Sequence, residues 1–545
     1  MTNDTHLLRP VQPGPTRLSQ LFSADDVASG AVVLPPAEAE VTGITLDSRT
    51  VTPGDLYVAL SGTKVHGARF AAGAAQLGAA AVLTDPAGGD LAVATGLPVV
   101  VAADARDAMA DAAATLFGTP THDLVMFGIT GTNGKTTTCF LLEAALAGDH
   151  HVGTIGTNGF RLDGEALESN RTTVTTPESP DLQALLAVML ERGADVVAME
   201  VSSHALALQR VDHVGFDVAA FTNLGRDHLD FHPTLEDYFE AKAKLFDAAH
   251  CRVAVVNTDD EHGRLLAERI RGWHAAGVPA PRLVTTGFGD SDHRILASTP
   301  DGVGMRVRCS GPYGEREFTI DLPGEHNVRN AVMALAMVVE SPAGVVDPGA
   351  AADRAIVGLS HAQVPGRMQL VRLEPVEAAP TVYVDFAHTP QAIENAVASA
   401  RPADGGRVIV VVGAGGDRDA AKRGPMGAAA ARADLVVVTD DNPRTEDPAP
   451  IRAAVAEGAR QAAGAEVLEV AGRRAAIGQA LRRASLGDVV LVLGKGHEKG
   501  QDIGDVVHDF DDVAVVREEW TAGQGERRWG RQQPSSWRGR RSPPG

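Results

Sequence analysis

Short, continuously apolar runs alternate along this chain with segments of helical periodicity. Over residues 41–123 the runs Leu56–Leu60, Ala80–Thr84 and Pro98–Ala102 are separated by Ala-rich amphipathic stretches. From Leu124 the strand candidates are Leu124–Ile129, Val196–Val201, Val218–Thr222 and Val253–Asn257, closed by a helix over His326–Glu340. From about Val364 a further set follows: Val382–Phe386, Val408–Val412, Leu435–Thr439 and Val489–Leu493. Strands apolar on both faces are covered on both, so the two larger regions are expected to be mainly parallel sheets in an α/β fold. Ligands then belong beyond the carboxyl ends of the strands. The pattern divides the chain into a loose terminus (1–17), units at 18–123, 124–363 and 364–520, and a disordered Arg-rich tail (521–545).

Composition narrows the classes. A chain of 545 residues is long enough for three domains with sizeable cores. A net charge of −21 leaves no basic surplus for a nucleic-acid partner, so local Arg and Lys must meet any anionic substrate. Cys139, Cys251 and Cys309 have the spacing of neither a disulfide framework nor a metal site, which fits a reducing compartment. The first thirty residues lack the apolar core of a signal peptide, and no apolar run approaches ~18 residues. A cytoplasmic protein without stable membrane insertion is expected.

The densest chemistry lies in Phe127-Gly-Ile-Thr-Gly-Thr-Asn-Gly-Lys-Thr-Thr-Thr138. This reads as a phosphate-binding loop of the G-x-x-x-x-G-K-[ST] type, with Gly128 as its first glycine and Gly134, Lys135 and Thr136 at its end. It sits between an apolar strand and the helical periodicity of Cys139–Leu146. Glycines let backbone N–H groups cradle phosphates at a helix N-terminus. Lys135 can reach the β- and γ-phosphates, and the Thr136 hydroxyl can ligate Mg²⁺. ATP or a close relative is the expected ligand. Two nearby strands end in Glu200-Val-Ser-Ser-His204 and in Thr222-Asn-Leu-Gly-Arg-Asp-His-Leu-Asp-Phe-His232. Glu200 with Thr136 supplies hard oxygens for one Mg²⁺. Asp227 and Asp230 also suit helix capping, and His232 suits a structural role.

Taken together, Gly131-Thr-Asn-Gly-Lys-Thr-Thr137, Glu200–His204, Phe221-Thr-Asn223 with Arg226-Asp-His228, and Gly324-Glu-His-Asn-Val-Arg-Asn330 resemble the Mur ligases. These are the ATP-dependent amide-bond ligases of peptidoglycan precursor synthesis. The likeness spans about residues 18 to 519. Thr45-Leu-Asp-Ser-Arg49 with Gly54-Asp-Leu-Tyr57 resembles the nucleotide-sugar domain of the third and fourth enzymes of that pathway, and Thr175-Thr-Pro177, Asp441-Asn-Pro-Arg444 and Gly494-Lys-Gly-His-Glu498 resemble the branch that adds diaminopimelate as the third peptide residue. A lysine-adding relative is the alternative, and arginine is not expected there at the position of Arg444. The resemblance implies three domains, with a central P-loop parallel sheet and a C-terminal Rossmann-like sheet. Its implied substrates are UDP-N-acetylmuramoyl-L-alanyl-D-glutamate, ATP and diaminopimelate.

By the same resemblance, Leu46, Ser48, Thr63, Lys64 and Val65 contact the UDP-sugar, while Thr175, Thr176, Ser202 and Arg210 hold the muramoyl-peptide end. Val174 stands where relatives carry Asn, so that contact is not transferred. Gly131, Thr132, Asn133, Gly134, Lys135, Thr136, Thr137, Asn330, Arg367 and Asp385 match the nucleotide site. Phe386 and Gln391 replace the common Tyr and Asp beside it. Lys242 resembles the family's carbamylated lysine, which with His228 holds a second Mg²⁺ and acts in catalysis beside Lys135. Arg418, Asp441, Asn442, Pro443, Arg444, Gly494 and Glu498 match the diaminopimelate site. Guanidinium forks there suit a distal carboxylate and Glu498 a distal ammonium.

A carboxylate is a poor acyl donor because its leaving group would be oxide. Phosphorylation by ATP gives an acyl phosphate, which an amine attacks with loss of phosphate. Positioning and charge neutralisation dominate such catalysis.

Overall fold

The computed structural model describes residues 9–531, apart from 12–13, 63, 168–174, 226, 228–230, 343–345, 377–378, 403–404, 418 and 505. Thr63, Val174, Arg226, His228, Asp230 and Arg418 therefore lie outside the described residues, as does the chain beyond Arg531. The described residues form two compact units. One comprises the chain up to Thr299 with 306–320 and 326–362, and the other comprises 300–305, 321–325 and the chain from Gln363.

The first unit contains two large sheets. In the N-terminal one, β1 (Val32–Val33), β2 (Gly43–Thr45), β3 (Asp55–Ala59), β4 (Ala81–Thr84) and β5 (Val99–Ala102) lie in the order β1-β5-β4-β3-β2. β2 to β5 are parallel, and β1 is antiparallel on β5. Along β3, Leu56 and Val58 pack into a core with Met109 and Leu116 of α1 (Ala105–Leu116), while Tyr57 and Ala59 face a second core. Burial on both faces is why these strands read as unbroken apolar runs.

The central sheet holds β6 (Val125–Thr130), β7 (Val152–Gly156), β8 (Val196–Glu200), β9 (Phe216–Phe221), β10 (Cys251–Asn257) and β11 (Arg282–Gly287) as parallel neighbours in the order β7-β8-β6-β9-β10-β11. The chain leaves β6 toward β7 and β8 on one side and returns to place β9 on the other. That makes the end of β6 a topological switch point, where a crevice opens. Three helices serve this end: α2 (Lys135–Leu146), α3 (Leu235–Ala243) and α4 (Glu325–Glu340).

In the second unit β12 (Thr381–Asp385), β13 (Val408–Val412), β14 (Leu435–Val438), β15 (Glu466–Glu469) and β16 (Val489–Leu493) are parallel in the order β12-β16-β13-β14-β15. Val408, Val410 and Val412 enter one core, and Ile409 and Val411 enter the other with α5 (Arg473–Arg483). Burying each such side chain contributes roughly 1.5–3 kcal/mol.

Within both terminal segments some of the described residues are tied to the fold. Thr16–Arg17 pairs antiparallel with Glu40–Val41, and the Arg9 guanidinium meets the buried Asp55 carboxylate through bonds of 2.6 and 2.7 Å. A buried carboxylate requires such a partner, and the partner comes from the stretch read as a loose tail. At the other end α6 (Asp512–Arg531) runs past residue 521. Val515, Val516 and Trp520 dock it in the core, and Trp520 Nε1 donates to the Glu374 carbonyl (2.8 Å). A docked first turn supplies the nucleus, and extension from it costs little.

Candidate functional site

The loop between β6 and α2 is built around two glycines. Gly131 has φ +144° and Gly134 has φ +91°. A Cβ at Gly131 would run into Thr222 Oγ1, and one at Gly134 would lie 2.7 Å from Asn330 Oδ1. Gly128 is a buried residue inside β6. The phosphate turn therefore starts at Gly131, and the longer spacing counted from Gly128 does not describe it. The segment after β9 braces this turn. Asn223 Oδ1 accepts from Asn133 N (3.0 Å), its Nδ2 donates to Asn133 O (3.0 Å), and Thr132 N donates to Asn223 O (2.9 Å). Gly134 caps α2 without a side-chain acceptor, so the first N–H groups of a 12-residue helix face the turn. Lys135 folds over the loop, its Nζ donating to the carbonyls of Gly131 (2.9 Å) and Thr132 (3.1 Å). Thr137 is buried beside Thr136 in the first turn.

Lys242, on α3, is 1% exposed. Its Nζ donates to the Gly131 carbonyl (2.9 Å) and lies 4.4 Å from the centroid of the Tyr238 ring. Burial, then the neighbouring Lys135 charge, holds its pKa well below the usual lysine value, against an opposing pull from Asp227. Burial likewise pushes the Tyr238 phenol up to about 12, and Thr132 Oγ1 donates to its oxygen (3.3 Å). Lys244 is exposed, so of the two lysines only Lys242 reaches the phosphate loop. His232 is buried, bonded to Ser203 Oγ (2.9 Å) and packed on Tyr238, which is a structural role.

Glu200 ends β8 and is 1% exposed. Thr136 Oγ1 donates to its Oε1 (2.9 Å), as does Thr157 N (2.8 Å), and Thr157 Oγ1 donates to Oε2 (3.2 Å). Among the described residues no three His, Cys, Asp or Glu side chains form a metal cage. The Thr136 hydroxyl and the Glu200 carboxylate form a two-oxygen set that phosphate and water can complete. Mg²⁺ favours such a set. From Glu200 the contacts continue. Thr157 Oγ1 meets Thr175 Oγ1 (3.3 Å), and Thr176 Oγ1 donates to the Glu200 carbonyl (2.8 Å) and accepts from Ser202 N (3.1 Å). Arg210 Nη1 donates to the Thr176 carbonyl (3.1 Å), and Arg210 pairs with Glu178 (2.7 Å). The residues assigned by resemblance to the muramoyl-peptide end thus stand directly behind the phosphate cradle.

Leu46 and Ser48 follow β2, while Lys64 and Val65 follow β3. Because β2 and β3 are adjacent and parallel, both segments leave the sheet at its carboxyl edge. Leu46 and Ser48 are half-buried, and Lys64 and Val65 are exposed.

In the second unit Asp385 ends β12, its carboxylate accepting from Met368 N (2.6 Å) and Ala387 N (2.8 Å). Burial raises its pKa, and the charge of Arg367 opposes that rise. The Arg367 guanidinium sits 5.0 Å from the centroid of Phe386, so the phenylalanine at this position packs against a cation. The loops after β13, β14 and β16 form a second cluster. Arg444 holds φ +51°, its N donates to Asp502 O (3.0 Å), and its Nη1 donates to Gly416 O (2.6 Å). Gly416 N in turn donates to Asn442 O (2.9 Å), which sets the Asn442-Pro443-Arg444 turn against the β13 loop. Asn442 Nδ2 donates to Glu498 Oε2 (3.0 Å). Gly494 has φ +116°, and a Cβ there would lie 2.6 Å from Asp441 Oδ2. Burial raises the pKa of Asp441, against the charges of Arg473 and Lys495.

Three family descriptions match this chain in order: "Mur ligase family, catalytic domain" at residues 40–116, "Mur ligase middle domain" at 129–338, and "Mur ligase, glutamate ligase domain" at 366–496. A protein of Streptomyces avermitilis named UDP-N-acetylmuramoyl-L-alanyl-D-glutamate--2,6-diaminopimelate ligase is 47% identical over 524 residues, covering 95% of this chain and 99% of its own. One of the same name from Corynebacterium glutamicum is 43% identical, covering 91% and 94%. A solved structure titled with that activity matches at 32% identity and a TM-score of 0.63, covering 89% of this chain and 96% of its own. The chain belongs to the Mur ligase family. Among the described residues no helix is long and apolar enough to cross a membrane.

In this Mur ligase several residues that shape the site owe their role to strand pairing more than to local sequence. Asn223 and Thr222 were visible as a family motif, but their work in bracing the loop depends on β9 lying beside β6. Thr157 follows β7 and carries no local signal, and only the pairing of β7 with β8 brings it to Glu200. Tyr238 sits one helical turn before Lys242 and forms a wall of its pocket.

Proposed function

We propose that this Mur ligase joins diaminopimelate to the D-glutamate of UDP-N-acetylmuramoyl-L-alanyl-D-glutamate, with ATP hydrolysis, in the cytoplasmic synthesis of peptidoglycan precursors. The observation that carries the reading is one loop cluster that holds a guanidinium and a carboxylate apart. Arg444 is fixed at Gly416 O, and Glu498 is fixed by Asn442. Such a pair suits the distal end of diaminopimelate, which carries both a carboxylate and an ammonium. Lysine offers only the ammonium and brings no carboxylate to the arginine, whose Nε stands 3.7 Å from Asp502.

The α2 N-terminus and the Gly131–Gly134 turn bind the triphosphate, and Lys135 leaves its loop carbonyls for the phosphate oxygens. Thr136 and Glu200 would hold Mg²⁺, and Lys242, as its carbamate, would with His228 hold a second ion. When bound, the ions offset the charge of the crowded anions. Thr175, Thr176, Ser202 and Arg210 orient the muramoyl-peptide so that its carboxylate takes the γ-phosphoryl group and becomes an acyl phosphate. The amine of diaminopimelate attacks the acyl carbon, phosphate leaves, and the amide remains. Leu46, Ser48, Thr63, Lys64 and Val65 contact the UDP-sugar, Asn330, Arg367 and Asp385 the nucleotide, and Arg418 joins Arg444 on the distal carboxylate. Phosphate release should require both the UDP-precursor and diaminopimelate, with lysine and ornithine inactive. Release that needs no amino acid, or that proceeds equally with lysine, would overturn the reading.

A further inference from the structure

Lys495 is buried to 0% exposure at the centre of the acidic side of the loop cluster. Its Nζ donates to Asn442 Oδ1 (2.9 Å) and Glu498 Oε2 (3.1 Å) and stands 4.0 Å from Asp441 Oδ1. Asn442 Oδ1 also accepts from Asp502 N (3.1 Å), so its Nδ2 is turned toward Glu498. Two donors therefore converge on one Glu498 oxygen, and the carboxylate is held at one edge.

Arg473, also buried in this region, is already matched. Arg473 binds Asp512 through two bonds of 2.6 and 2.7 Å and donates to the Leu493 carbonyl (3.0 Å). That pair is neutral. Asp441 stands within the charge of both Arg473 and Lys495, whereas Glu498 is hydrogen-bonded by Lys495 directly. A buried lysine is costly unless paired, so its burial here has to be set against what it does for the carboxylates.

We infer that Lys495 is a positioning residue for the amino-acid substrate: with Asn442 it holds Glu498 by Oε2 and so presents the other oxygen, Oε1, to the substrate ammonium. The inference rests on the assignment of diaminopimelate to this cluster. It does not require Lys495 to touch the substrate.

The test is a double-mutant cycle in the full-length enzyme with Lys495→Met, Glu498→Gln and the pair, with KM measured for each substrate. Lys495→Met should raise the KM for diaminopimelate about tenfold or more, with the KM for ATP and for the UDP-precursor within about twofold of the parent. In the Glu498→Gln background the same change should have much less effect, because its target is gone. Nucleotide affinity reports folding. If the methionine variant does not fold, Lys495→Gln, which keeps a donor for Asn442 without the charge, is expected to give the same split. A Glu498→Gln variant with unaltered KM for diaminopimelate would remove the site assignment and the role of Lys495 with it. Impaired Glu498→Gln combined with additive losses, or equal KM changes for all three substrates, would overturn the role of Lys495 alone.

Discussion

Lys135 and Lys242 donate to the same acceptor, the carbonyl oxygen of Gly131, each over 2.9 Å. Two ammonium groups on one carbonyl repel, and the buried one yields. Burial and Lys135 together favour the neutral amine at Lys242. A neutral amine is the form that reacts with CO₂, so the shape of the phosphate loop prepares the modification expected there.

For Lys242→Ala, loss of ligation is expected, with partial recovery on adding a short-chain carboxylic acid that restores an oxygen ligand. Intact mass and peptide mapping should place added CO₂ on Lys242 and not on Lys244. An unmodified, active enzyme would defeat the assignment. In protein freed of CO₂, the pKa of the Lys242 amine is lower folded than unfolded, so unfolding takes up a proton between the two values and stability rises with pH across that window. Lys242→Met should flatten that rise in denaturant titrations.

Lys135→Ala removes a partly exposed charge without opening the core. Folding should be kept, by far-UV circular dichroism, while turnover falls on the order of 10²-fold or more, since the lost charge acts on the transferring phosphoryl group. Turnover near the parent value would exclude the site.

Diaminopimelate should be preferred over lysine by roughly 10³-fold in kcat/KM, as expected where a buried polar group is left unpaired by the wrong substrate. Arg444→Ala should raise the KM for diaminopimelate far more than that for ATP. Lysine activity need not appear, because Arg418 and the pocket shape remain. Equal use of the two amino acids by the parent enzyme would refute the specificity.

His250 lies between Asp247 (2.8 Å) and Asp212 (3.5 Å) beneath β10. Burial acts to lower its pKa, but the hydrogen bonds and charges of the two carboxylates outweigh it and carry it to about 9. The folded value exceeds the unfolded one near 6.5, so the stabilisation is full below about pH 6.5 and is lost as pH rises to about 9. His250→Gln should cost at most about 3 kcal/mol at pH 6 and much less at pH 9.5 in urea titrations. An equal cost at both values would show that the ion pairs are not the cause.

Much of this fold could be read from one dimension. Val408–Val412 and Val489–Leu493 were bounded to the residue because strands buried on both faces have no polar position to blur them. Edges were less legible at β9, where Phe216 and the buried Asp217 precede the apolar run. Asp217 is tolerated because its carboxylate accepts from Met126 N (3.0 Å) and Arg252 (2.8 Å) across the sheet. The site motifs were legible for a similar reason: glycines at positive φ and a helix-opening Gly-Lys-Thr are local requirements that leave local residues.

What the sequence determined alone was therefore the set of strands, the phosphate turn and the chemical types in the loops, since each depends on neighbours in the chain. Which loops meet was decided by strand order. Placing β8 and β9 on either side of β6 brings Glu200 and Asn223 to one turn, while the pairing of β7 with β8 delivers Thr157 to Glu200. Ionisation states were decided there too. Lys242 looks like an ordinary solvated lysine in sequence, and only packing strips its water and lowers its pKa.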